Sequence, residues 1–364
     1  MSQGKRKIHD KQSMLGTLRD DIKRGMLPEE VKREYDELKE YILDEERREQ
    51  IDKEPWGRRL FLIPWWFLKG MFFKLTPVRR LLVVIGVVLI LNYSSNPNNH
   101  GAVLIGAALL LLVLMLELKD KLLAREELEA GRAVQMALMP EKSPDVPGWD
   151  VWLYTRSANE VGGDLVDFIR IGEARFGVAL GDLSGKGLSA ALLMAKLQAT
   201  LQALVPDASS LAALGARLNR VFCRDCLPKA FASLVYMVFE SGSPRVRMLN
   251  AGHIPPVVVR RGRVDEMAKG GPALGLVPKA VYIEQRLTLQ PGDFMVVYTD
   301  GIVEAMNKRG EFFGDQSLFG LLHTLDGSLP AEEIGNRILQ GVDRFALGAK
   351  AHDDLSAVVL RRKP

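Results

Sequence analysis

The chain has 364 residues and a net charge of +4, enough length for one globular unit of roughly 200–250 residues plus a further segment. No long basic stripe with interleaved aromatics occurs, so nucleic-acid binding is not expected. The two cysteines, Cys223 and Cys226, exclude a disulfide framework and suit a reducing compartment, and no further ligands lie near them at zinc-site spacing.

Residues 1–58 are rich in charge, and PEEVKREYDELKEYILDEERREQ reads as a solvated cytoplasmic helix. No secretory signal peptide is visible at this end. The next stretch, FLIPWWFLKGMFFKL (61–75), mixes aromatics with Lys69 and Lys74 and holds a proline and a glycine. It reads as an interfacial segment at lipid headgroups, with a third, broken span as the alternative.

Two apolar runs follow, LLVVIGVVLILNY (81–93) and GAVLIGAALLLLVLMLEL (101–118), separated by SSNPNNH. A spanning helix needs about 20 apolar residues, about 17 at the least. The second run satisfies this. The first is short unless residues 76–80 contribute by snorkelling, and a re-entrant hairpin is the alternative. Arg79 and Arg80 precede the runs, Lys119 and Lys121 follow them, and the loop between carries no cation. The expectation is a two-helix membrane hairpin within residues 59–118, multi-pass in the cell membrane with both ends cytoplasmic. No glycine or proline occurs from Ala107 to Ala130, so the helix is expected to run on into a linker over 119–140, as a plain spacer, a signal conduit or a dimer seam.

From Trp149 onward the pattern changes to short β-rich runs: VWLYTRSA, ARFGVALGD, FASLVYMVFE, RVRMLNAGH, PPVVVRRGRV, VYIEQRLTL, DFMVVYTDG and LSAVVLRR. Helical patterns cover 188–204, 211–222, 315–325 and 331–345. Strands outnumber helices and do not alternate with them, which favours an α+β domain of two stacked sheets flanked by helices over a doubly wound parallel sheet.

Within this domain the acids sit at strand ends. Asp164 lies in EVGGD, Asp182 ends ARFGVALGD, Asp300 ends FMVVYTD, and Asp353 with Asp354 opens the last strand. Singly, each is an ordinary turn residue. Together they suggest a site for hard divalent cations, which prefer carboxylate and water oxygens; the five histidines form no cluster. GDLSGKGLSAALLMAKL (181–197) superficially suggests a phosphate-binding loop, yet only three residues separate Gly181 from Gly185-Lys186, and Gly187 stands where a magnesium-binding hydroxyl is needed. The turn is better read as presenting Asp182.

SANEVGGDLVDF, GDLSGKGLSAALLMA, LNAGHIPPVVV, GGPALGL, LQPGDFMVVYTDGIVEAMN and HDDLSAVVL occur in the order seen in SpoIIE-type and RsbU-type bacterial serine phosphatases, of the metal-dependent type 2C superfamily. The resemblance runs from about residue 124 to 362. It implies an αββα sandwich over 141–364 and two Mn²⁺ or Mg²⁺ ions. Implied too are hydrolysis of phosphoserine or phosphothreonine by a metal-activated water and, as substrate, a phosphorylated regulatory protein such as a STAS-type anti-sigma antagonist. By the same resemblance Asp182 bridges the metals with the Leu183 carbonyl beside it, Asp300 and Asp353 are direct ligands, and Asp164 binds directly or through water. Glu160 and Asp354 are weaker candidates. Gly162, Gly163, Gly181 and Gly301 would let backbone approach the ions. Ser184 replaces the histidine of eukaryotic type 2C enzymes, so no leaving-group acid is assigned, and His253 of NAGH is a family feature that also reads as a turn histidine. AREELEAGRAVQMALMP resembles a dimerising linker helix. Two rival readings are a diguanylate cyclase, because GGDLVDF resembles GGDEF although Leu165 replaces the second acid, and a catalytically inactive module that docks a signalling partner.

Overall fold

The computed structural model describes residues 56–92, 100–140, 143–225, 230–349 and 351–363. The charged segment 1–55, most of the SSNPNNH loop and Cys226 fall outside these residues. The chain divides into two compact units, Met1–Lys121 and Leu122–Pro364.

In the first unit α1 (Trp56–Lys74) continues through Pro64 and Gly70, where the sequence suggested an interrupted segment. Pro77 then opens α2 (Pro77–Leu91), a position where the missing proline N–H costs nothing. Helix α3 (His100–Leu138) is 39 residues long, with the glycine- and proline-free stretch 107–130 as its middle. It is the one helix among the described residues long and apolar enough to cross a membrane. Small residues let α2 and α3 approach closely: a Cβ on Gly86 would lie 3.1 Å from the Gly106 carbonyl oxygen. Arg79 donates to Glu117 and Asp120, each at 2.6 Å, so the two helices run side by side in opposite directions.

The second unit holds two five-stranded antiparallel sheets. One is ordered β1 (Trp149–Arg156), β10 (Leu355–Arg362), β9 (Phe294–Tyr298), β6 (Val257–Arg260), β7 (Arg263–Glu266). The other is ordered β2 (Leu165–Arg170), β3 (Arg175–Leu183), β4 (Ala232–Glu240), β5 (Arg245–Ala251), β8 (Glu284–Thr288). Alternating residues explain the stacking. Val151, Leu153, Met295, Val297 and Val358 from the first sheet meet Val178, Leu180, Val235, Met237 and Met248 from the second in one buried core. Trp149 fastens the sandwich, its indole N–H donating to the Glu240 carbonyl at 2.9 Å.

Both outer faces are covered, which is why central strands such as FMVVY are apolar throughout. Helices α4 (Leu188–Leu204) and α5 (Leu211–Asp225) pack Leu197, Leu201, Leu214 and Leu218 onto the β2–β8 sheet. On the other face, α7 (Gly314–His323) and α8 (Ala331–Ala346) place Leu318, Leu322, Ile334 and Ile338 over Trp152, Val257, Phe294 and Val296. The four layers are the expected α+β, αββα arrangement.

Three strand expectations need correction. Strand β2 was not anticipated. PPVVVRRGRV is not one strand but the β6–β7 hairpin, turning at Arg261 and Gly262. VYIEQRLTL forms a strand only over Glu284–Thr288. The one-turn helix α6 (Asp300–Val303) was also not expected. Cys223 is half-buried and donates to Asn219 Oδ1, a packing role consistent with its place on α5.

Candidate functional site

The antiparallel pairing brings the acids to one end of the sandwich. Asp182, the penultimate residue of β3, lies opposite Ser233. Asp164 directly precedes β2, whose first residue, Leu165, pairs with Gly181. In the other sheet Tyr298 pairs with Ala357, so Asp300, just beyond β9, and Asp353–Asp354, just before β10, emerge side by side. Gly301 is needed at this crossing: a Cβ there would overlap the Asp354 carbonyl oxygen.

The carboxylates perturb one another. Burial raises the Asp182 pKa to about 7, with Asp300, Asp353 and Asp354 adding repulsion. Asp300 is raised by burial, then by Asp353 and Glu304. Asp164 is pushed well up, chiefly by burial and also by Asp182 and Asp354, against which hydrogen bonds from Ser356 and Thr299 act. The hydroxyl of Thr299 donates to Asp164 Oδ2 at 3.0 Å and accepts the Ser356 N–H at 3.1 Å. A close set of partly buried acids raised by burial and mutual repulsion is an arrangement expected at functional sites.

Not every sequence candidate joins this set in the same way. Asp354 turns its carboxylate to backbone, accepting the N–H groups of Ala158 and Gly163 at 2.8 and 2.5 Å. It thereby holds the loop leading to Asp164. Glu160 lies exposed in that loop. The Leu183 carbonyl oxygen would lie 3.5 Å from a Cβ on Gly163, so this loop and the β3 end are adjacent. Ser184 accepts the Phe231 N–H at 2.8 Å and thus closes the turn after Asp182.

His253 bridges the two sheets. Its Nε2 lies 3.1 Å from the Tyr298 carbonyl and its Nδ1 2.7 Å from Ser233 Oγ. These partners suit a neutral ring that donates from Nε2 and accepts at Nδ1. Burial pushes its pKa down to about 4, so it is a neutral strut and not a charged acid at neutral pH. The reading as a turn histidine is the one its contacts support, since Asn250 Oδ1 accepts its backbone N–H at 2.9 Å.

Sequence reasoning missed Gln135. This buried residue near the end of α3 donates to the Gly162 carbonyl at 2.8 Å and accepts the Gly162 N–H at 3.1 Å. The loop before Asp164 is therefore gripped from two sides, by Gln135 and by Asp354. A lone amide among the charged and apolar residues of the helical run AREELEAGRAVQMAL was the available signal.

Among the described residues no three Asp, Glu, His or Cys side chains are grouped so as to hold one metal ion as they stand. The donor chemistry nonetheless fits a hard divalent cation: oxygen donors from separate strand ends, whose mutual repulsion a cation would relieve. Ligation would require the side chains to close in.

The chain matches the family described as Stage II sporulation protein E (SpoIIE) over residues 172–363, just over half its length. Asp182, Asp300 and Asp353 lie within that match, and Asp164 lies before it. Protein IcfG of Synechocystis sp. is 26% identical over 275 residues, covering 68% of this chain and 43% of that protein. Phosphoserine phosphatase RsbU of Bacillus subtilis is 26% identical over 243 residues, covering 66% of this chain and 71% of RsbU. The chain thus spans less than half the length of IcfG. Among solved structures, the SiaA-PP2C domain of Pseudomonas aeruginosa has a TM-score of 0.58 at 17% identity, over 66% of this chain and 98% of that one. The SpoIIE PP2C phosphatase domain with a fragment of its regulatory domain, from Bacillus subtilis, has a TM-score of 0.53 at 18% identity, over 61% and 63%. At these identities the structures establish the fold, a PP2C-like pair of antiparallel sheets with flanking helices. With six ordered motifs, this fold and a match over more than half of its length, the chain belongs to the SpoIIE family.

Proposed function

We propose that the chain is a membrane-anchored, metal-dependent protein serine/threonine phosphatase. The observation that carries this reading is the convergence of Asp164, Asp182, Asp300 and Asp353 from four strand ends, with Asp182 held near a pKa of about 7 by burial and its neighbours. Asp182, Asp300 and Asp353, with Asp164 and the Leu183 carbonyl, would hold two Mn²⁺ or Mg²⁺ ions. When bound, such ions lower the pKa of a water nucleophile and neutralise phosphoryl oxygens, which makes a side-chain nucleophile unnecessary. The protein's share is positional. Thr299 and Ser356 orient Asp164, Asp354 and Gln135 fix its loop, and His253 ties the two sheets together behind Asp182.

Three finer readings accompany this one. The substrate is a phosphorylated regulatory protein, such as an anti-sigma antagonist; the phosphoserine phosphatase named among the relatives supports the reaction class. The apolar length of α3 supports anchoring in the cell membrane, with α2 as second span and the phosphatase domain cytoplasmic. Exposed Val134 and Leu138 on α3, with exposed Leu188 and Leu192 on α4, support a homodimer through the linker helix, and the Gln135–Gly162 contact supports transmission of a signal along that helix to the acids.

The test is Mn²⁺-dependent hydrolysis of a phosphoserine peptide and a chromogenic phosphate monoester by wild type and Asp182→Asn. Metal-dependent turnover in wild type, reduced by about 10²-fold or more in the variant, is the expected outcome. Absence of both metal binding and turnover in wild type would replace this reading with that of an inactive docking module.

A further inference from the structure

Lys186 lies four residues beyond Asp182, and its ammonium group is directed at the acids. Its Nζ is 3.0 Å from Asp353 Oδ2 and donates to the His352 carbonyl at 2.8 Å. Its charge also acts on Asp182 and Asp300, opposing the upward shift of each. The backbone is shaped for this placement. Gly185 and Gly187 flank the lysine with φ of +102° and +70°, and a Cβ on either would meet nothing within 4 Å. These glycines are therefore required by conformation and not by crowding.

Stability does not account for the contact. The Lys186 side chain is 60% exposed, and ion pairs in such settings contribute little to folding. The same side chain lines a cleft of about 560 Å³ beside the acids, together with Arg156, Glu304, Phe312, Asp343 and Asp353. Arg156 in that cleft is engaged by Asp343 at 2.7 Å. Lys186 differs in that its carboxylate partner is itself a candidate metal ligand.

We propose that Lys186 is a two-position cation: it neutralises Asp353 while the acids are free of metal, and it turns to the phosphoryl group of the substrate once Asp353 is given over to a metal. This rests on the metal-dependent phosphatase reading. A divalent ion on Asp353 repels the neighbouring ammonium and removes its partner. The flexible four-carbon stem leaves the displaced charge within the cleft, where a phosphate dianion is the complementary ligand, and lysine binds phosphate as a mobile point charge. Lys186 therefore opposes metal binding and favours phosphate binding.

Those opposite signs define the experiment. The purified full chain and its Lys186→Met and Lys186→Arg variants are titrated with Mn²⁺, followed by the electron paramagnetic resonance signal of the free ion. The Mn²⁺-loaded proteins are then titrated calorimetrically with inorganic phosphate. Lys186→Met should bind Mn²⁺ roughly two- to fivefold more tightly, the scale of an exposed ion pair, and phosphate roughly tenfold more weakly, the scale of a charge-assisted hydrogen bond. Lys186→Arg should retain phosphate binding close to wild type. Weakening of both ligands by Lys186→Met would mean that the lysine merely builds the site, and no change in either would leave only a surface ion pair; each overturns the inference while sparing the enzyme reading. Failure of wild type to bind Mn²⁺ above the level of Asp182→Asn would instead overturn both.

Discussion

Asp182 carries a proton up to a pKa of about 7 in the folded, metal-free protein, against an ordinary value of 3.8. Between those two values the native state binds more protons than the unfolded chain, so stability falls as pH rises. Asp300 and Asp164, also raised, act in the same direction. His253, lowered to about 4 from an ordinary 6.5, acts in the opposite direction over much of this window, so the test is a difference: in chelator, the melting temperature of wild type relative to Asp182→Asn should decline from about pH 4 to about pH 7. Mn²⁺, competing with those protons, should bind more tightly as pH rises through the same window. Asp354 has a different task, which its place in a tandem HDD motif hides: adjacent acids read alike in sequence, but this one faces backbone. Asp354→Ala would leave the Ala158 and Gly163 amides without their acceptor, at a cost of about 1–3 kcal/mol for the buried Gly163 N–H and less for the half-buried Ala158 N–H. Urea unfolding should report that loss, and an unchanged midpoint would mean that water takes over both bonds.

Gln135 links α3 to the loop ahead of Asp164. Gln135→Ala removes both hydrogen bonds to Gly162 and frees the loop ahead of Asp164. Weaker Mn²⁺ binding is expected, together with a stability loss of about 1–3 kcal/mol. Arg309→Ala, at an exposed position outside the site and the linker helix, should alter neither. Equal Mn²⁺ affinity in the two variants would show that the contact does not serve the acids. The elements themselves were readable where pattern and packing agree. Helix α8 buries Ile334, Ile338, Leu339 and Val342 along one face, with Gly335 seated against the Trp152 ring, where a Cβ would overlap it. They were unreadable where a local feature masks the pattern. Strand β2 holds a buried carboxylate, Asp167, satisfied by Gln202 at 2.8 Å, so its polar middle resembles loop. The β6–β7 hairpin turns at Arg261 with φ 51° and Gly262 with φ 79°; two-residue turns of this kind usually announce themselves by Asn-Gly or Gly-Gly, and arginine in the first position gives no such signal. The four acids were legible because strand ends flanked by glycine are poor places for unneeded charge. The Asp164 partners Thr299 and Ser356, and Gln135 on the preceding loop, were not, because their role depends on which elements meet.

At the scale of the whole molecule the apolar lengths decide what the first unit can do. Helix α2 has 15 residues, about 22 Å at 1.5 Å per residue, against a hydrocarbon thickness of about 30 Å. Helix α3 has 39, about 58 Å, so one end extends well beyond any bilayer it crosses. Arg79, Glu117 and Asp120 form an ion-paired cluster where α2 begins beside α3, and Arg80 donates to the Phe72 and Phe73 carbonyls. Charges paired in this way suit the headgroup level, from which α2 reaches the far interface only if the bilayer thins locally or flanking residues snorkel. Two arrangements then differ in one observable. A full hairpin exposes the 94–99 loop on the face opposite the phosphatase domain; a re-entrant α2 beside a spanning α3 buries that loop or leaves it shallow. In intact cells Asn98→Cys, in a chain with Cys223 and Cys226 replaced by alanine, should react with a membrane-impermeant maleimide, whereas Arg309→Cys, at an exposed position of the phosphatase domain, should react only after lysis. Labelling of Asn98→Cys solely after lysis would exclude the hairpin, and extraction of the full chain from membranes by alkaline carbonate would exclude anchoring altogether.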